Sequence, residues 1–111
     1  MNFKFGQYLV KPVFARYYNG NTAILFVGDA GTEYEGEEIC RATVNGNVVF
    51  EDANICGFKS WNEGPEVVRT LVENGIIETP PLFEEPSGFG YIRYHKLTEK
   101  GARLREKYRL K

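Results

Sequence analysis

Runs of aromatic and β-branched residues, broken by Gly, Asn and Pro, dominate the first half of the chain. Such runs read as strands, because branched and ring side chains pack well on a pleated surface. Phe3 to Val10 and Val13 to Tyr18 form two of them, separated by Pro12, which cannot donate to a ladder and suits a strand start or an edge. Asn19-Gly20-Asn21 supplies the positive φ of a tight turn, so residues 13–27 read as a hairpin. The unbroken apolar run 23–27 predicts a central strand covered on both faces. After a polar stretch, Ile39 to Val44 and Val48 to Phe50 flank Asn45-Gly46-Asn47, a second hairpin signal.

The pattern changes in the second half. Asn54 to Asn62 is irregular and holds Cys56 and Trp61. Gly64-Pro65 opens a helix, since Pro is tolerated at the first helical position. Val67, Val68, Leu71 and Val72 supply its apolar face, and Asn74-Gly75 closes it. Residues 78–88, with Pro80, Pro81 and Pro86, read as a loop. Phe89 to Leu97 reads as a strand, with Tyr91, Arg93 and His95 on one face and Ile92, Tyr94 and Lys96 on the other. Thr98 caps a last helix, in which Gly101 stands where a capping box would place Glu. Leu97, Leu104 and Tyr108 make its apolar stripe, and Lys100, Arg103, Lys107 and Lys111 a basic stripe beside it, with Arg105 and Arg109 on the far flank. The expected fold is a single α+β domain, 1–111: an antiparallel β-meander of about five strands with two helices packed on it.

With 111 residues and 42% hydrophobic side chains the chain can bury a real core, and a net charge of −1 excludes a uniformly basic nucleic-acid binder. The charge is uneven. Residues 1–64 hold five cations and eight anions, whereas the last fifteen residues hold six cations and two anions. Five carboxylates without a cation fall between Gly28 and Glu38. No apolar run reaches the ~18 residues of a membrane span. The first residues lack a secretory pattern, so Cys40 and Cys56 are expected as reduced thiols in a cytoplasmic protein.

Candidate chemistry is sparse. Cys40, Cys56 and His95 lack the spacing of a zinc site, and no phosphate-loop, dinucleotide or nucleophile-elbow motif occurs, so no metal or cofactor is expected. His95 has no Ser, Asp or Cys at a telling distance along the chain and is expected in a structural role. Glu37-Glu38 and Glu84-Glu85 are adjacent, which is not the arrangement of a glycosidase dyad. Trp61 suits either a plug over a sheet edge or a binding hot spot.

Leu71 to Glu78 resembles a recognition helix running into the first wing strand of a winged-helix regulator, and Tyr91 to Gly101 resembles the second wing strand and the Leu-Thr-Glu-Lys-Gly that opens the last helix. The two helices that should precede Val67 are missing, and Glu66 to Asn74 carries one cation, Arg69. Gly20-Asn21-Thr22-Ala23-Ile24, Cys40 to Asn45, Glu51 to Asn54, Asn74 to Ile77 and Ser87 to Tyr91 are together similar to a family of small uncharacterised proteins of bacterial plasmids, phages and integrative elements. That resemblance covers residues 19–97 and implies a cytoplasmic accessory protein of a mobile element.

The function expected is therefore a small non-enzymatic binding or regulatory module that engages a protein partner. One alternative is nucleic-acid binding through Lys100, Arg103, Lys107 and Lys111; another is an acidic mimic built on Glu33, Glu35, Glu37 and Glu38. Trp61, Arg93 and His95 complete the candidate interaction residues.

Overall fold

Nine residues of extended chain, Tyr8–Arg16, organise the first sheet of the computed structural model, which describes residues 1–110. This strand, β2, is preceded by β1 (Phe3–Phe5) and followed by β3 (Thr22–Gly28) and β4 (Glu38–Arg41), giving a four-stranded antiparallel meander in chain order. The expected single strand from Phe3 to Val10 is instead a hairpin, because Gly6 takes φ +60 and folds Phe5 back onto Tyr8. β2 also runs through Pro12 rather than breaking there. Phe14, two residues on, sends its N–H away from β3 to the Tyr108 carbonyl, so Pro12 faces the same side, beyond the end of β1, where no donor is required. β3 lies between β2 and β4, with Thr22, Ile24 and Phe26 buried on one face, while on the other Ala23 is buried but Leu25 and Val27 are only half-buried, so that face is less fully covered than the apolar run implied.

A second antiparallel sheet has the order β5-β7-β6, from Ile55–Lys59, Gly90–Lys96 and Phe83–Ser87 respectively. The fold is thus α+β with antiparallel sheets, the described residues holding seven strands in two sheets where about five in one meander were expected. β5 falls in the stretch expected to be irregular, and β6 in the proline-rich stretch expected to be a loop. The expected hairpin around Asn45-Gly46-Asn47 does not form. Residues 42–50 cross instead from the first sheet to the second, where Gly46 lies against the Tyr94 hydroxyl so closely that a β-carbon there would collide with it. Gly46 is needed for that approach and not for a turn. Glu85 fixes the crossing, accepting from Tyr94 Oη at 2.6 Å and from the Asn47 amide at 3.1 Å, while Phe50 packs on the Tyr94 ring at 4.9 Å. The Asn21 amide, 7% exposed, holds the other side of the crossing: it donates to Asn45 Oδ1 and the Val48 carbonyl and accepts from the Phe50 N–H.

The helices form where the capping and periodicity placed them. α1 (Gly64–Glu73) carries Pro65 in its first turn and buries Val67, Thr70 and Leu71. α2 (Glu99–Lys107) starts at Thr98, whose hydroxyl accepts from the Gly101 amide at 3.0 Å. Gly101 sits at the site where α2 crosses the Ile76 carbonyl, and a side chain there would overlap that oxygen. The core joins Phe3, Val10, Phe14, Ile24 and Phe26 of the first sheet to Phe58 of the second, with Val67 and Leu71 from α1 and Leu104 from α2. Each such side chain, fully buried, contributes roughly 1.5–3 kcal/mol. After α2 the chain lies along β2 as a short parallel addition, Phe14 opposite Arg109, with Leu110 N–H donating to the Phe14 carbonyl at 2.7 Å. No helix among the described residues is long and apolar enough to cross a membrane.

Candidate functional site

Three of the expected interaction residues, Trp61, Arg93 and His95, come from β7 and the turn leading into α1. β7 is the middle strand of its sheet, so pairing on both sides fixes its register: Phe58 stands opposite Arg93, and Cys56 opposite His95. Alternation then sets Tyr91, Arg93 and His95 on one face. α1 covers part of that face and leaves a concavity of about 320 Å³ lined by Phe58, Val68, Val72, Arg69, Arg93 and His95, among others.

His95 is buried at the base of this face, edge-on to the Phe58 ring at 5.6 Å. Its Nδ1 lies 2.8 Å from the Glu78 carbonyl, which can only accept, so Nδ1 carries the proton. Burial holds its pKa below the ordinary value of 6.5, and the Arg93 charge acts in the same direction, against the opposing effect of the Glu78 bond. Arg93 pairs with Glu84 across the β6–β7 ladder at 3.0 Å. The arrangement orients the imidazole, and its cross-strand neighbour Cys56 is a buried free thiol held in its protonated form.

The outer end of the same sheet is aromatic. β6 and β7 join through a two-residue turn, Gly88-Phe89, and Gly90 there takes φ +148. The Phe89 ring packs on Trp61 at 5.8 Å yet remains 81% exposed, and Tyr91 is 46% exposed. The tip is tied down at Ser60, whose hydroxyl accepts from the Tyr91 N–H while its own N–H donates to the Tyr91 carbonyl, each at 2.9 Å. Trp61 is half-buried beneath Phe89 and does not enter the core. Phe89 was not among the expected interaction residues; its place at a glycine-flanked turn was the available signal.

The remaining expected residues lie elsewhere. Glu33, Glu35 and Glu37 are exposed on the turn between β3 and β4, where Glu35 accepts from the Gly31 amide, and Glu38, exposed at the start of β4, pairs with Arg41. Lys100 donates to the Asn74 carbonyl at the end of α1, Arg103 pairs with Glu99, and Lys107 lies over the Tyr108 ring at 5.4 Å. These α2 cations are therefore turned to local partners; Lys111 lies outside the described residues.

Arg105 on the other flank of α2 and Arg109 just past its end gather instead. Arg105 and Arg109 meet Arg16 at the end of β2 around a concavity of about 450 Å³ that Phe14, Ala15, Thr22 and Leu110 also line. No sequence pattern linked Arg16 to the other two. Cys56 is buried nearby, its thiol pushed up to about 12 by burial, with the Arg105 charge opposing the shift. The half-buried Cys40 thiol is likewise raised by burial first. Among the described residues, no three His, Cys, Asp or Glu side chains gather where they could hold a metal ion. Comparison with protein-family models, with curated proteins and with solved structures returned no match.

Proposed function

We propose that the protein is a small non-enzymatic binding module whose partner is another protein, docked on the aromatic end of the second sheet. The observation that carries this reading is the tip itself: Phe89 and Tyr91 stand in solvent on a hairpin braced by Trp61 and Ser60. Large exposed rings held by a rigid scaffold lose little freedom on binding and desolvate well, which is why Trp and Tyr recur at interface hot spots. The neighbouring Arg93–Glu84 pair and the α1 concavity extend the same face and offer a polar rim beside apolar ground. The cytoplasmic, mobile-element setting implied by the resemblance belongs to this proposal.

The nucleic-acid reading has less behind it, because Lys100 and Arg103 are engaged locally and the hairpin tip from Pro86 to Tyr91 carries no cation. The test is affinity capture from the native host with the intact protein and with a Trp61→Ala/Phe89→Ala double variant. A protein recovered by the first and lost with the second, both variants being folded by circular dichroism, is the expected result. Recovery of nothing above background, or of the same protein by both, overturns the proposal.

A further inference from the structure

The concavity between β2 and α2 concentrates positive charge in a way the protein-docking proposal does not use. Among the described residues, its lining includes Arg16, Arg105 and Arg109 and no carboxylate. Two backbone hydrogen bonds place them together: Phe14 N–H to the Tyr108 carbonyl at 3.0 Å and Leu110 N–H to the Phe14 carbonyl at 2.7 Å. These seat residues 108–110 alongside β2, so that Arg109 and, one turn back on α2, Arg105 stand beside Arg16. The guanidiniums are only partly satisfied. Arg16 donates one Nη1 bond to the Gly20 carbonyl at 3.1 Å. Arg105 and Arg109 share one carboxylate, Glu106, at 3.5 and 3.3 Å, and that carboxylate is itself 58% exposed. The Arg105 side chain is only 17% exposed, and its Nε is buried with no partner among the described residues. The wall of the concavity therefore holds the Arg105 guanidinium largely out of bulk solvent, where an opposite charge is screened less.

Among the described residues, three guanidiniums against one carboxylate leave two positive charges, and planar forks of this kind match oxyanions by paired N–H donors. Phe14, Ala15 and Leu110 add an apolar wall, and about 450 Å³ is more room than a bare anion fills. We propose that this concavity binds a phosphate monoester carried on a small organic body. A phosphate monoester brings close to two negative charges at neutral pH, which balances the cradle, and its body meets the apolar wall.

Titration calorimetry of the full chain with phenyl phosphate tests this, with inorganic phosphate and benzoate as companion probes. The expected result is saturable binding of phenyl phosphate that weakens with added salt, weaker binding of inorganic phosphate, which lacks the body, and weakest binding of benzoate, which lacks the second charge. Arg16→Gln and Arg109→Gln, both at exposed positions, should each weaken phenyl phosphate by roughly tenfold or more. They keep the test decisive even if Arg105→Gln perturbs folding. Arg69→Gln, on α1, should change nothing. An absence of saturation, equal affinity in the Arg16 and Arg109 variants, or benzoate binding as tightly as phenyl phosphate overturns the proposal. The Trp61→Ala/Phe89→Ala variant should bind phenyl phosphate as the parent does, so this site and the aromatic docking face succeed or fail separately.

Discussion

Replacing Asn21 by Ala should loosen the crossing between the two sheets while leaving the hairpin turn before it intact. The Asn21 side chain makes three hydrogen bonds: 3.1 Å to Asn45 Oδ1, 2.7 Å to the Val48 carbonyl, and 2.9 Å from the Phe50 N–H. A neutral hydrogen bond contributes about 0.5–1.5 kcal/mol net, so three give roughly 1.5–4.5 kcal/mol. Val48 and Phe50 are half-exposed, so water can reach the groups left behind, and the lower part of that range applies. A loss of about 2 kcal/mol is expected, which for a domain of this size lowers Tm by about 8 °C. Thermal and urea denaturation give the magnitude, and amide exchange gives the location. The Phe50 amide should exchange faster in the variant, whereas amides across β2 and β3 should keep their relative protection. A Tm within about 2 °C of the parent, together with an unchanged Phe50 amide, would refute the view that Asn21 clamps the crossing.

Gly101→Ala should destabilise despite the ~1 kcal/mol helical advantage of Ala, because the added methyl meets the Ile76 carbonyl and forces α2 outward; a net loss of about 1–3 kcal/mol by urea midpoint is expected, and equal or greater stability would contradict it. His95 gives the fold an acid limb: its pKa is held below 6.5 when folded, so the unfolded chain binds the proton first and stability falls as pH drops below about 6.5. It is the only histidine, and Glu63 and Glu85, lowered from 4.5, act only at more acid pH, so His95→Gln should flatten the stability profile between those two regions when unfolding is tracked across pH.

Local signals carried the parts of the fold that local chemistry decides. Thr98 and Pro65 start helices because a free hydroxyl and a fixed φ do so wherever the chain runs. Asn19-Gly20 makes its turn for the same reason, and Gly20 takes φ +91. Gly46 misled, since a glycine needed for positive φ and one needed for close approach to Tyr94 look alike in a sequence. β5, centred on Gly57, and β6, with Glu84, Glu85 and Pro86, become strands only because β7 pairs with both, and that pairing spans distant positions. The candidate sites divide along the same line. Arg93 and His95 share a face by simple alternation and were legible as neighbours. Arg16 meets Arg105 and Arg109 only after the last residues are laid along β2, a contact between opposite ends of the chain that no spacing encodes.

Of the outermost strands, β1 is only three residues long, and β4 and β6 bear most on how separate copies meet. β4 is four residues long and carries an exposed Glu38–Arg41 pair, and β6 presents Glu84 and Glu85 beside Pro86. Short length, charge and a missing donor are what keep exposed sheet margins from recruiting foreign strands. The free flank of β5 is partly occupied already, by the Val44 N–H bonded to the Gly57 carbonyl at 2.9 Å. Concentrated protein should therefore resist ribbon-like aggregation, and crowding would bring molecules together through side chains rather than by extending a shared backbone ladder.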